Sequence, residues 1–426
     1  MTPEERRALD AVDVDRLTAD LVRLIAIRSD GGLEVPIQDH MAALLEDSGM
    51  EVDRWEIDLP ALSRHPAYGA EIERECAVGV VGRSGDAAGP ALILNGHVDV
   101  VPAGEAERWT VPPFEGTVLD RRVYGRGAAD MKGGVCCAVE AVRAIRDAGI
   151  RLSGAVMLQS VAGEEDGGMG TLAAIERGHT ADAAIIMEPT KLVVAPAQGG
   201  ALSFRITIPG RAAHGALRTE GVDPVEWIGP LLAALRRLER ERNARLRHRL
   251  YDEEIAFAIC VGKVRAGIWA STVAESAVLE GRYGIGIGED VAAAQAELED
   301  AVTAFCAADP WLRANPATVE WWGARYLPAE IPADHPLVEM LVSSGHDISG
   351  SATPVRGMPY GADMHLLVHQ GHIPTVIFGP GDVRDAHAPD EYVEIAELES
   401  CTRMLVLTIM RFCGASGLSR LTDRYQ

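Results

Sequence analysis

The sequence predicts a mixed α/β protein: a mostly parallel sheet with helices on both faces, interrupted by a smaller two-layer α+β sandwich. Three observations point there. Short apolar runs alternate with helical stretches up to about residue 198 and resume after Pro328. Between those points the pattern changes to alternating strands around two longer helical segments. The chain has 426 residues, beyond the size at which one hydrophobic core usually stops growing.

Taken in order, residues 12–27 and 36–48 carry apolar groups at helical spacing. Glu51–Asp58 and Cys76–Gly82 read as strands, and Ala91–Asn95 is a short apolar run of the kind that forms a buried strand. Val118–Tyr124 alternates weakly. Met131–Ala148 predicts a helix, because Val135, Val139, Val142 and Ile145 fall on one stripe and Gly149 supplies a stop. Ala155–Val161 and Ala183–Met187 are further strands, followed respectively by the turn Gly163-Glu164-Glu165-Asp166-Gly167-Gly168 and by Glu188-Pro189.

From Gln198-Gly199-Gly200 the expected order is β-α-β-β-α-β. Its strands lie at Leu202–Ile208, Ile255–Val261, Ala277–Gly284 and Thr318–Trp322, and its helices at Pro224–Leu250 and Val291–Ala307. This sets an inserted domain at 199–327 within a larger domain of 1–198 and 328–426. The larger domain resumes with a helix at Pro336–Ser344, a strand at Thr375–Phe378 and a closing helix at 395–413.

Composition narrows the function. The formal charge of −23 disfavours nucleic acid or an anionic membrane as partner, since both need a basic footprint. Seven cysteines without a CxxC pair argue against a disulfide framework and against a cysteine zinc site. The N-terminus has no apolar core of a signal peptide, and Met404–Phe412 is too short for a membrane span. A reducing cytoplasm is the expected location.

Most of the chemistry-bearing residues lie at the end of a predicted strand, just past one or at a strand-to-helix turn, and strand ends converge on one crevice in an open α/β sheet. His97 and Asp99 follow the Ala91–Asn95 run, two apart, so that Asp99 can hold the second nitrogen of His97. Asp130 precedes the 131–148 helix, where an N-cap is the competing reading. Glu164 and Glu165 share a glycine-rich turn, and Glu188 ends the next strand; each alone could be a solvated acid. His387 lies in Asp385-Ala386-His387-Ala388-Pro389-Asp390-Glu391. Imidazole with carboxylate is a ligand set for zinc or a similar divalent ion. No Gly-x-Ser-x-Gly elbow and no phosphate-binding loop occur, and Gly125-x-Gly127-x-x-Asp130 lacks the last glycine of a dinucleotide fingerprint.

Together these segments resemble the M20 metallopeptidase and deacylase family, from about residue 10 to the C-terminus. The resemblance is strongest in Leu94–Val101, Trp109–Gly134, Ala162–Gly170, Met187–Thr190, Gly210–Gly221 and Gly361–Glu391. It implies a zinc-exopeptidase-like domain carrying an inserted lid and dimerisation domain. One divalent ion, zinc with cobalt or manganese as alternatives, would be held by His97, Asp130 and Glu188. A second would be held by Asp130, Glu165 and His387, with Asp130 bridging. Glu164 would be the general acid/base and Asp99 the residue orienting His97, and the Asp130-Met131 peptide would be cis.

His214 would polarise the scissile carbonyl, often from the partner subunit of a homodimer, and Arg282 would hold a substrate carboxylate. Glu rather than Asp at position 188 points to an N-acyl or C-terminal amide substrate. Two stretches depart from the family pattern. Trp269-Ala270-Ser271-Thr272-Val273-Ala274 replaces an Asn-containing segment, leaving Ser271 or Thr272 for its polar role, and Gly361-Ala362-Asp363 replaces Gly-Thr-Asp. The expected activity is removal of an N-acyl group from an amino acid or related amine. The alternatives are a carboxypeptidase or dipeptidase, an N-formyl-amine deformylase, and a non-catalytic metal-binding protein.

Overall fold

The computed structural model describes residues 1–86 and 88–414; the expected larger domain's residues 415–426 lie outside them. Three helices open the chain: α1 (Pro3–Asp10), α2 (Val14–Ala26) and α3 (Val35–Asp47). Asp13 starts α2 by accepting the Arg16 N–H, and Leu17, Leu21, Leu24 and Ile25 form its buried stripe. Strands β1 (Glu51–Glu56), β2 (Val78–Gly85) and β3 (Ala91–His97) follow, then the short pair β4 (Thr117–Leu119) and β5 (Arg122–Tyr124).

Helix α4 (Gly133–Asp147) is preceded by a wider turn over Ala128–Lys132, in which Asp130 and Met131 leave helical geometry and their shared peptide is cis. Asp130 is therefore not the helix cap; Lys132 occupies that position. Next come β6 (Ala155–Val161), α5 (Met169–Glu176) and β7 (Ala183–Ile186).

A second set follows: β8 (Gly200–Pro209), α6 (Ile228–Arg245), β9 (Ile259–Ala266), β10 (Ser276–Ile285), α7 (Val291–Ala307) and β11 (Thr318–Tyr326). The order is the β-α-β-β-α-β one. Helix α6 is shorter than the 224–250 expectation because a 3-10 turn takes Pro224–Trp227. Strand β9 begins later than expected, since Ala256 and Phe257 bury themselves in the preceding loop while β9 itself is an exposed edge. The chain then returns through α8 (Pro336–Ser349), α9 (Met364–His369), β12 (Thr375–Ile377), β13 (Tyr392–Glu394) and α10 (Ile395–Phe412).

Two compact units result. The larger holds Met1–Ala197, Glu330–Arg356 and Ala362 onward; the smaller holds Gln198–Ala329 with Gly357–Gly361. The larger unit's sheet runs β1-β2-β6-β3-β7-β12, with β3, β6, β7 and β12 parallel and β1 and β2 antiparallel at one edge. Helices α3 and α5 pack on β2 and β6, and α4 and α10 on β3. Gly134 allows α4 to approach closely, because a Cβ there would lie 2.1 Å from the Met187 carbonyl oxygen. The smaller unit is an antiparallel sheet, β9-β10-β8-β11, whose Phe204, Ile206, Leu279 and Tyr283 bury against Leu231, Leu235, Leu298 and Val302 of its two helices. Among the described residues no helix is long and apolar enough to cross a membrane.

Candidate metal centre

Parallel pairing of β6, β3 and β7 fixes the site. Their register sets His97 beside Val161 and Asn95 beside Ile186, so the three strands end at one level. His97 is the last residue of β3, Glu164 and Glu165 follow β6, and Glu188 follows β7. Neighbouring strand ends thus deliver an imidazole and three carboxylates to one place.

His97 is fully buried and its Nε2 lies 3.1 Å from Asp130 Oδ1, 3.6 Å from Glu188 Oε1 and 3.9 Å from Glu164 Oε2. His387 Nε2 lies 3.3 Å from the other Asp130 oxygen, Oδ2, and 3.1 Å from Glu165 Oε2. Asp130 therefore turns one oxygen to each histidine. The side chains gather with a small regrouping: among the described residues, His97 with Glu164 and Glu188, and His97 with Asp130 and Glu165, each bring three ligand atoms within 4.8 Å of one another.

The Nδ1 of His97 meets the backbone carbonyl of Asp99 at 2.9 Å, whereas the Asp99 carboxylate stands 3.8 Å away. That carboxylate instead accepts the N–H groups of Glu164 and Glu165, at 3.3 and 3.1 Å. Asp99 thus bonds the imidazole through its main chain and the acidic turn through its side chain, a second contact that its spacing from His97 did not indicate.

Sequence reasoning missed the support of this turn. Asp166 accepts the Glu71 and Ile72 N–H groups and pairs with Arg74, which also pairs with Glu34. All three side chains are buried, and no local pattern links residues this far apart.

Electrostatics describe a cluster built for cations. Burial and the Glu188 carboxylate push Glu164 well above the usual carboxylate range, and burial with Asp130 does the same to Glu188. Burial alone would raise Asp130 too, but hydrogen bonds from His387 and His97 hold it below the ordinary range. Burial opposes the charge on His387, yet Asp130 and Glu165 raise it to about 11. Asp363, fully buried nearby, is pushed up to about 7 by burial. Several buried carboxylates thus share two imidazoles, and Glu188 Oε1 is buried with no hydrogen-bond partner. Such oxygens are costly to leave unmatched, and divalent ions match them. The donor set, two imidazoles and carboxylates with no thiolate, fits zinc and its neighbours.

The profile of Peptidase family M20/M25/M40 matches residues 93–411. The chain belongs to that family. This M20 member is a metal-dependent hydrolase. It is 30% identical, over 89% of both chains, to the N-formyl-4-amino-5-aminomethyl-2-methylpyrimidine deformylase of Bacillus subtilis (strain 168). Its fold matches a di-peptidase from Saccharomyces cerevisiae, with a TM-score of 0.77 at 14% identity, covering 97% of this chain and 99% of that one. It also matches a dinuclear metal binding peptidase from Bacillus subtilis, with a TM-score of 0.59 at 18% identity, covering 94% and 98%.

The remaining predicted residues of the M20 hydrolase lie in the smaller unit. A bridge between His214 and Thr272, with Gly215 N–H donating to the Ser271 carbonyl at 2.7 Å, puts His214, Ser271 and Thr272 side by side on an exposed rim. Arg282, on β10, has its Nε buried without a hydrogen-bond partner and pairs with no carboxylate among the described residues. Burial lowers its pKa, the signature of a guanidinium that lacks an anion.

Proposed function

We propose that this M20 hydrolase removes an N-acyl group from an amino acid or a related amine that carries a carboxylate. The observation that carries the reading is Asp130, whose two oxygens face His97 and His387 separately. On this reading His97, Asp130 and Glu188 hold one ion, and Asp130, Glu165 and His387 hold the other, zinc being the metal the donors suit best. When bound, the ions supply an acidified water and polarise the amide carbonyl.

The chain's own residues then act in order. Glu164 takes the proton of the attacking water and passes it to the leaving amine. Asp99 holds the Glu164–Glu165 turn and the His97 ring in place. His214 donates to the developing oxyanion. Arg282 holds the substrate carboxylate, and Ser271 or Thr272 contacts the acyl group.

The inserted unit serves as a lid and joins two copies into a homodimer. Edge strand β9 leaves Val264 exposed, and the hairpin tip leaves Ile268 and Trp269 at 95% and 73% exposure. The seven free thiols suit a cytoplasmic setting. N-formyl amines form a second substrate class, favoured by the 30% identity to the deformylase.

The test is metal analysis coupled to an amide-hydrolysis screen of N-acyl amino acids, dipeptides and N-formyl amines. Two metal equivalents and chelator-sensitive release of an acyl group are expected. Activity confined to dipeptides would overturn the deacylase reading, and hydrolysis untouched by metal removal would overturn the site.

A further inference from the structure

Glu391 stands four residues after His387 and immediately before β13. Its side chain is fully buried, and it reaches back across the chain to the segment that carries Asp130. Oε1 accepts the N–H groups of Ala129 and Asp130, at 3.0 and 3.1 Å. Oε2 pairs with Arg126 at 2.5 Å, both side chains being at most 3% exposed. The Glu391 carbonyl accepts the Gly125 N–H at 2.9 Å, continuing the β5–β13 pairing. Arg126 is held in turn over the Trp109 ring, and the neighbouring Asp390 accepts the Thr110 N–H at 2.7 Å. One carboxylate thus joins the two stretches of chain that present Asp130 and His387.

We propose that Glu391 is the positioning residue that makes Asp130 and His387 one preassembled half of the centre, setting the affinity for the second divalent ion. The inference rests on the two-ion reading above. The asymmetry between the two positions carries it. His97 and Glu188 are placed by the ends of β3 and β7, whose parallel register does not involve Glu391. His387 sits in a loop, at a positive φ of 57°, with its side chain 54% exposed. Nothing in a strand register fixes it, so its approach to Asp130 depends on how the 385–391 segment is tied down. Removing that tie disturbs one shared ligand of the first ion but two of the three ligands of the second. Residues that orient ligands in this way typically alter metal affinity 10–100-fold.

The experiment titrates Zn²⁺, in competition with a chelator, into the metal-free full-length protein and its variants, with Co²⁺ absorption as the coordination readout. In Glu391→Ala the second equivalent should weaken about 10–100-fold while the first changes by no more than about threefold. Glu391→Gln should recover most of the loss, because its amide oxygen can accept the same two N–H groups. His387→Ala marks what loss of the second position looks like.

A folded Glu391→Ala protein that binds both equivalents as the parent does would overturn the proposal, as would equal weakening of both. If Glu391→Ala does not fold, the double variant Arg126→Leu/Glu391→Leu decides. It removes the buried cation and its acceptor together, an exchange that buried ion pairs often tolerate. A weakened second equivalent there supports the proposal, and an unchanged one refutes it. A parent protein that binds fewer than two equivalents would instead bring down the two-ion reading, and this assignment with it.

Discussion

The two units hold their functional side chains in opposite physical states. In the larger unit His97, Glu164 and Glu188 are buried, crowded by like charge and held by neighbours on three strand ends. In the inserted unit His214, Ser271 and Thr272 are exposed, and Arg282 has no anionic partner among the described residues. The first state suits chemistry, because a buried and fixed charge array is ready before the substrate arrives. The second suits recognition, because unsatisfied donors are free to be satisfied by a ligand. Substitutions in the first should alter turnover and metal binding; those in the second should leave metal binding unchanged, with Arg282 altering discrimination between substrates and His214 altering turnover.

The largest expected effect tests that division directly. Glu164→Ala should lower kcat by about 10³–10⁴-fold, the upper range for loss of a general acid/base. Metal content should stay near two equivalents. The geometry gives this measurement a second use, since Glu164 lies within 3.9 Å of His97 Nε2. If the variant loses a metal ion along with its activity, Glu164 is a ligand rather than the proton carrier.

His214→Ala comes next. Loss of one donor to a developing oxyanion costs about 10²–10³-fold in kcat. Metal stoichiometry should be unchanged, because His214 belongs to the other unit. Turnover within a few-fold of the parent would remove His214 from the reaction.

How much of this was legible in the sequence follows from the same contrast. The strands could be read from their short apolar runs, but the roles of His97, Glu165 and Glu188 were legible only through the family resemblance, because each acid alone could be solvated and an isolated His-x-Asp says little. The inserted β-α-β-β-α-β unit follows from the change of periodicity. What could not be read is how the ligands are supported. Arg74 and Asp166 are separated by 92 residues and Arg126 and Glu391 by 265, and a charged residue in a loop looks the same whether solvated or buried against its partner. The use of the Asp99 carbonyl, rather than its carboxylate, against His97 was equally invisible, because a two-residue spacing fits either atom.

Arg282 sharpens the recognition side. Arg282→Ala should raise KM by about 10–100-fold for substrates bearing a carboxylate, the range expected for a lost charge-assisted hydrogen bond. Neutral analogues should be almost unaffected. An equal rise for both would mean that Arg282 supports the β9–β10 hairpin instead of binding an anion.

The smallest effect, about tenfold per pH unit, comes from competition between protons and metal at His387. In the metal-free protein, burial works against the imidazolium, but bonds to Asp130 and Glu165 raise its pKa to about 11. The folded value therefore lies above the unfolded value of about 6.5. By linkage, protonated His387 stabilises the metal-free fold fully below about 6.5, and this contribution is lost as pH rises through about 11. A metal-ligating imidazole must be neutral, so the second ion displaces that proton. Its apparent affinity should rise steadily between pH 6.5 and 8.5, where an ordinary histidine would already have lost its dependence. Chelator competition at several pH values measures the slope, and His387→Gln should make it shallower, leaving the part due to Glu165, whose carboxyl is also raised by burial. A flat profile in the parent protein would mean that His387 is neutral before metal arrives, and that the ion pair with Asp130 and Glu165 does not hold the position open.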